Sequence, residues 1–266
     1  MGVLVPRMQD ARARLAAIGD LHVKGTLTEN LETVLRFLPE RVDALVIAGD
    51  ITDGGRLIEV EAAAEILGTV DVPVIAVLGN HDRRCLRPAA FRRALLQARV
   101  HLLDGNSLVL RNQQGIRIGF AGIGGAGGGF WPIEGPDMLH YRATQALSLK
   151  ARKEALRLDS ALASLDADLR VVVTHFAPTT STLGNEPLLK YWMLGNSELG
   201  RVIDRYPVDL VLHGHAHLGN PLGSTIGGIM VKNVASAVNG GLVIHDFRVD
   251  DASMTSSLLT TRANRD

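Results

Sequence analysis

Apolar positions along the chain follow two alternating rhythms. Nearly continuous apolar runs at 15–19, 44–48, 74–78, 171–174 and 208–212 read as buried strands, because a strand covered on both faces needs no polar side. Between them, segments near 28–38, 57–68, 87–98, 144–165 and 196–205 repeat their apolar residues at helical spacing. Strands alternating with helices predict a layered α/β sheet. The rhythm changes over 99–121, where VHLLD, SLVLR and IRIGFA are separated by DGN and NQQG. Those turn signals predict antiparallel strands joined by hairpins. A similar pair, IMVKN and LVIHDF, lies near 229–247. The predicted architecture is two sheet layers flanked by helices, as one domain over 1–266, with a core over about 15–247 and a polar tail at 250–266.

Composition narrows the function classes. The chain has 266 residues, of which 46% are hydrophobic and 21% charged, an ordinary globular balance able to bury a sizeable core. A formal net charge of zero removes the broad electrostatic footprint of a protein that coats nucleic acid, so no extensive nucleic-acid surface is expected. No apolar run approaches the roughly 18 residues that a membrane span requires, so no membrane partner is expected. Near the N-terminus the arginines follow a very short apolar stretch, the wrong order for a secretory signal, and the expected location is cytoplasmic. The single cysteine, Cys85, cannot form an intramolecular disulfide.

Side chains able to hold metal recur at the strand ends. AAIGDLH places Asp20 and His22 just past one predicted strand, LVIAGDITDGG places Asp50 past the next, and VIAVLGNHD does the same for Asn80 and His81. VVVTHFAP contributes His175, and VLHGHAH contributes His215 and His217. Carboxyl ends of strands in an open α/β sheet converge on one crevice, so residues far apart in sequence are expected in one site. Any one of these residues alone is most simply a hydrogen-bonded turn or strand-end residue; five such segments in order are not. Imidazole and carboxylate donors without thiolate suit Mn, Fe, Zn or Co. One carboxylate bridging two cations about 3.5–4 Å apart would allow a shared hydroxide and a clamped phosphoryl group.

D-x-H, G-D-x-x-D, G-N-H-D, a later His and G-H-x-H resemble the calcineurin-like metallophosphoesterase superfamily, over residues from about 15 to 247. The resemblance implies a four-layer α/β/β/α sandwich with mixed sheets and two divalent metal ions. By motif, Asp20, His22 and His217 resemble the ligands of the first metal and Asn80, His175 and His215 those of the second, with Asp50 bridging. His81 resembles the residue that contacts the scissile phosphate and protonates the leaving oxygen, and Asp53 the carboxylate that orients it. The activity implied is hydrolysis of a small phosphodiester, a nucleotide among the candidates, by hydroxide on the metals with His81 as acid.

Departures from the family patterns refine this. Position 53 is Asp, where purple acid phosphatases carry a Tyr, and position 54 is Gly, where protein Ser/Thr phosphatases have a phosphate-binding Arg. GNHDRR looks more like the small-phosphoesterase branches that include cyclic nucleotide phosphodiesterases. Arg83 or Arg84 would suit a substrate phosphate, since guanidinium reads such oxygens bidentately; the alternative is a solvated basic helix, because Arg87, Arg92, Arg93 and Arg99 continue the run. The glycine-rich stretch 121–132 suggests an anion cradle or a covering flap, against a plain hairpin connection. His213 is expected to be structural. Selectivity is expected to reside in loops 121–143 and 178–196. A phosphomonoesterase with the same site is the nearest alternative, and a non-catalytic scaffold of this fold the alternative from another class. The expected partner is a small phosphorylated substrate, with the oligomeric state left open.

Overall fold

In a computed structural model, the structure describes residues 11–25, 29–36, 38, 41–130, 133–134 and 142–249. The polar stretch at 250–266 and Trp131 of the glycine-rich segment lie outside the described residues.

Two mixed sheets face one another. The first has the order β13-β1-β2-β3-β4, formed by Val243–Val249, Ala11–Ile18, Ala44–Ala48, Val74–Val77 and Val100–Leu103. The second has the order β11-β12-β10-β9-β6-β5, formed by Leu222–Ser224, Met230–Asn233, Leu210–His213, Leu169–Thr174, Arg117–Ile123 and Asn106–Arg111. Strands β1 to β4 run parallel in the first sheet, and β6, β9, β10 and β12 run parallel in the second. A two-stranded ribbon joins β7 (Gly129–Phe130) to β8 (Ile133–Glu134).

Side-chain alternation explains the layering. In β1, Ala13, Leu15 and Ala17 point between the sheets, while Ala16 and Ile18 point out. Ala44, Val46 and Ala48 of β2 meet Leu169, Val171 and Val173 of β9 in the same intersheet core. On the outer face of the first sheet lie α1 (Glu29–Arg36), α2 (Leu57–Leu67) and α3 (Pro88–Gln97), burying Leu31, Val60, Leu67, Phe91 and Leu95. Across the second sheet lie α4 (Arg142–Ala163) and α6 (Ser197–Ile203), with Ala155, Leu158, Leu199 and Ile203 buried. Two single-turn helices, α5 (Tyr191–Leu194) and α7 (Ser236–Asn239), complete the layout. The order is helix, sheet, sheet, helix, the four-layer sandwich.

Two hairpin expectations are corrected. The NQQG turn does join an antiparallel pair, β5 to β6. The DGN turn does not join β4 to β5: β4 pairs parallel with β3, and β5 belongs to the other sheet. Likewise IMVKN and LVIHDF, now β12 and β13, sit in different sheets, β12 beside β10 and β11, and β13 antiparallel to β1. A turn signal reports that the chain reverses; burial decides which sheet takes the next strand.

Candidate metal centre

Parallel strands deliver the polar residues to one place. Asp20 and His22 follow β1, Asp50 follows β2, Asn80 and His81 follow β3, His175 follows β9, and His215 and His217 follow β10. The strands come from both sheets, yet the side chains meet. His217 Nε2 lies 2.9 Å from Asp20 Oδ1, and His175 Nε2 lies 2.8 Å from Asn80 Oδ1 and 3.3 Å from Asp50 Oδ2. Among the described residues, Asp20, His22 and His217 form one group able to hold an ion, Asp50, His175 and His215 form a second, and His22, Asp53 and His81 form a third that shares His22 with the first.

Backbone conformation at the strand ends is unusual. Among the described residues, the non-glycine positions with positive φ are Asp20, His22, Asp50, His215 and Arg99. All but Arg99 are predicted ligands. Left-handed backbone on a side chain with Cβ costs on the order of 1–3 kcal/mol, and such strain gathers where function needs a particular direction. Close approach adds a second constraint. A Cβ on Gly79 would stand 2.0 Å from Asp50 Oδ1, and one on Gly49, at φ +85, would stand 2.6 Å from His175 Nδ1. Gly79→Ala is therefore expected to destabilise the fold by at least about 1–3 kcal/mol, as overpacking does, and to displace the Asp50 carboxylate. A melting curve and a metal titration equal to those of the parent chain would contradict that contact.

Supporting hydrogen bonds aim the donors. His175 donates from Nδ1 to the Ala48 carbonyl at 2.9 Å, which leaves Nε2 to face Asp50 and Asn80. The His215 amide donates to the Asp20 carboxylate at 3.0 Å, and Ser236 Oγ donates to the Asp20 carbonyl at 2.8 Å. Asp82, the last residue of G-N-H-D, had no role assigned from the sequence. Its fully buried carboxylate accepts Ile51 N, Thr52 N, Thr52 Oγ1 and Gly79 N at 2.8–3.2 Å, stapling the loop after β2 to the loop after β3. Burial pushes that carboxyl up to about 6. Its motif position two residues beyond Asn80 was the available signal.

Charge at the centre is tightly coupled. Burial works against ionisation of Asp50, but the charge and hydrogen bond of His175 overcome it and hold the carboxyl well below the usual range. Burial likewise opposes charge on His175, yet Asp50 and Asp20 raise it to about 9. Cation binding to such a pair releases the imidazole proton. Burial pulls His215 down to about 3, keeping it neutral as a ligand must be. A test of metal fit comes from His22: both ring nitrogens are buried and neither has a hydrogen-bond partner. Buried polar atoms are rarely left so, and a cation held with Asp20 and His217 would satisfy one of them. The donor set of imidazole, carboxylate and amide oxygen fits Mn, Fe, Zn or Co.

Three expectations are changed by the geometry. The contact that orients His81 comes from the Asp53 backbone carbonyl, which accepts from His81 Nδ1, while the Asp53 carboxylate lies 3.6 Å from His22 Nδ1. Arg83 is engaged by a carboxylate: its Nη1 and Nη2 each lie 3.3 Å from Glu154 of α4. Arg84 does face the centre, with Nη2 3.3 Å from His81 Nε2. The described part of the glycine-rich stretch, 121–130, is packed rather than open. Gly125 N donates to Glu154 Oε2 at 3.1 Å, Gly128 N to the Trp192 carbonyl at 2.8 Å and Gly129 N to the Gly195 carbonyl at 3.0 Å, so these amides are not a free anion cradle. His213 is fully buried, 2.8 Å from both Thr182 Oγ1 and the Gly214 carbonyl.

Residues 13–219 match the family described as calcineurin-like phosphoesterase, and the chain belongs to that metal-dependent hydrolase family. A stretch of 48 residues is 44% identical to glycerophosphodiester phosphodiesterase GpdQ of Enterobacter lignolyticus (strain SCF1), covering 18% of this chain and 17% of that protein. Among solved structures, phosphopantetheinyl hydrolase (PptH) from Mycobacterium tuberculosis superposes with a TM-score of 0.63 at 20% identity, over 85% of this chain and 89% of that one. GAP50, the anchor in the inner membrane complex of Plasmodium, superposes with a TM-score of 0.52 at 16% identity, over 88% of this chain and 81% of that one. At these identities the structural matches speak for the fold. No helix among the described residues is long and apolar enough to cross a membrane.

Proposed function

We propose that the protein is a binuclear metal-dependent phosphodiesterase acting on a small phosphodiester. The observation that carries this is the pair of Asp/His groups built on Asp20 and Asp50 at the joined strand ends, with the two buried ring nitrogens of His22, neither of them hydrogen-bonded, among them. Asp20, His22 and His217 would hold the first cation, Asn80, His175 and His215 the second, and Asp50 would serve both. Cations there supply Lewis acidity toward a phosphoryl oxygen and acidify water at neutral pH.

The remaining steps fall to this chain's own residues. His81 stands beside the centre, with Nε2 3.9 Å from Asp50 Oδ2, and its amide donates to Asp50 Oδ1 at 2.8 Å. Because Nδ1 donates to the Asp53 carbonyl, the proton for a leaving oxygen would be the one that the doubly protonated ring carries on Nε2. Arg84, against the same ring, supplies a guanidinium for the non-bridging phosphate oxygens. The short match to a glycerophosphodiester phosphodiesterase supports a diester over a monoester.

Hydrolysis of bis-p-nitrophenyl phosphate and of p-nitrophenyl phosphate by Mn-reconstituted protein tests the proposal. The diester is expected to show a kcat/KM at least about tenfold higher, a transition-state difference of about 1.4 kcal/mol. Preference for the monoester would instead make this a phosphomonoesterase with the same ligands.

A further inference from the structure

Large apolar side chains stand in solvent on two segments that are hydrogen-bonded to one another around the loop after β10. A 3₁₀ turn, Leu188–Lys190, runs directly into α5, and here Leu188 is 66%, Leu189 88% and Met193 51% exposed. Leu218, the residue after His217, is 58% exposed. These side chains are not the loose end of a mobile loop. Tyr191 and Leu194 turn inward onto Phe130, Ala177, Leu183 and Ala216, and Ala216 lies between His215 and His217. The Met193 carbonyl is 3.2 Å from His215 Nε2. Glu186, itself buried, clamps the two halves together: Oε2 accepts Gly184 N at 2.8 Å and Oε1 accepts Leu218 N at 3.0 Å. The apolar surface is thus held in fixed relation to the ligand loop.

We propose that this surface receives the organic arm of the substrate, and that the arm is an alkyl or acyl chain rather than a nucleoside. The proposal rests on the phosphoesterase reading of the centre. A base and ribose would require several donors and acceptors aimed at their edges; Leu188, Leu189, Met193 and Leu218 offer only methyl, methylene and thioether groups, with the ammonium of Lys190 and the amide of exposed Asn185 at the margin. A chain lying across them removes apolar area from water on both partners, which makes binding depend on chain length. Glu186 acts as a positioning residue for the surface.

Calorimetric titration of Mn-loaded protein with methyl-, butyl- and octylphosphonate reads binding without turnover. A fully buried methylene is worth up to about fourfold in affinity, so partial coverage predicts octylphosphonate binding at least about 100-fold tighter than methylphosphonate. In the double variant Leu189→Ser, Met193→Ser that ratio is expected to fall below about tenfold, with an unchanged melting curve because both positions are exposed. Equal affinity across the series, or a ratio the double variant leaves intact, would overturn the inference while leaving the phosphoesterase reading standing. Binding of no phosphonate by protein that holds its metals would overturn both.

Discussion

Replacing Asp50 with asparagine is expected to leave the protein folded but without its full metal complement, and without measurable hydrolysis. Asp50 is almost wholly buried, with Oδ2 3.3 Å from His175 Nε2 and Oδ1 accepting the His81 amide at 2.8 Å. Asparagine keeps the volume and can still accept from His81, so the local backbone has no reason to rearrange. What is lost is the negative charge beside His175 and His215, which in the proposed centre would serve both cations. Changes to the outer partners of metal ligands already cost about 10–100-fold in affinity, so loss of a carboxylate ligand should exceed about 100-fold. Metal content of the purified protein by mass spectrometry, beside a circular dichroism spectrum, reads the effect. Two ions per chain in Asp50→Asn would remove Asp50 from the site.

His81→Ala has the second-largest expected effect and a different signature. It should retain both metals and lose about 10²–10⁴-fold in kcat, the usual worth of general acid catalysis. The ring is not a member of the groups built on Asp20 and Asp50, although it forms a third metal-capable group with His22 and Asp53, and it is anchored through Nδ1 to a backbone carbonyl, so its removal leaves Asp20, His22, His217, Asp50, His175 and His215 in place. The loss should also depend on the leaving group. An alkoxide needs the proton and a nitrophenolate hardly does, so alkyl esters should suffer more than aryl esters. An equal loss on both, or none, would take His81 out of proton transfer.

Much of the centre was legible because its chemistry sits where strands stop. An apolar run ending in Gly-Asp or Gly-Asn-His announces both the strand and the residue it delivers, and parallel strands must end on one side. The predicted strand over 44–48 and helices near 57–68 and 196–205 coincide with β2, α2 and α6 to within two residues. The start of β1 was harder to see. ARAR alternates small and charged residues, with Ala13 facing the intersheet core and the Arg14 guanidinium reaching Asp246 of β13, a partner more than two hundred residues away.

Local pattern, then, determined the strands, the helices and the list of metal-capable residues, because periodicity and side-chain chemistry are properties of neighbouring positions. Tertiary structure alone decided which sheet took β4, β5, β12 and β13, since a turn carries no information about the strand's eventual partner. It also decided direction. Arg83 and Arg84 are adjacent in sequence, yet one is drawn to Glu154 on α4 and the other lies against His81. Asp53 offers His81 its carbonyl and leaves its carboxylate near His22. The amides of Gly125, Gly128 and Gly129, free on paper, are taken up by Glu154, Trp192 and Gly195. In each case the side chain or amide goes to the partner that packing brings within hydrogen-bond reach, and packing is a property of the whole chain.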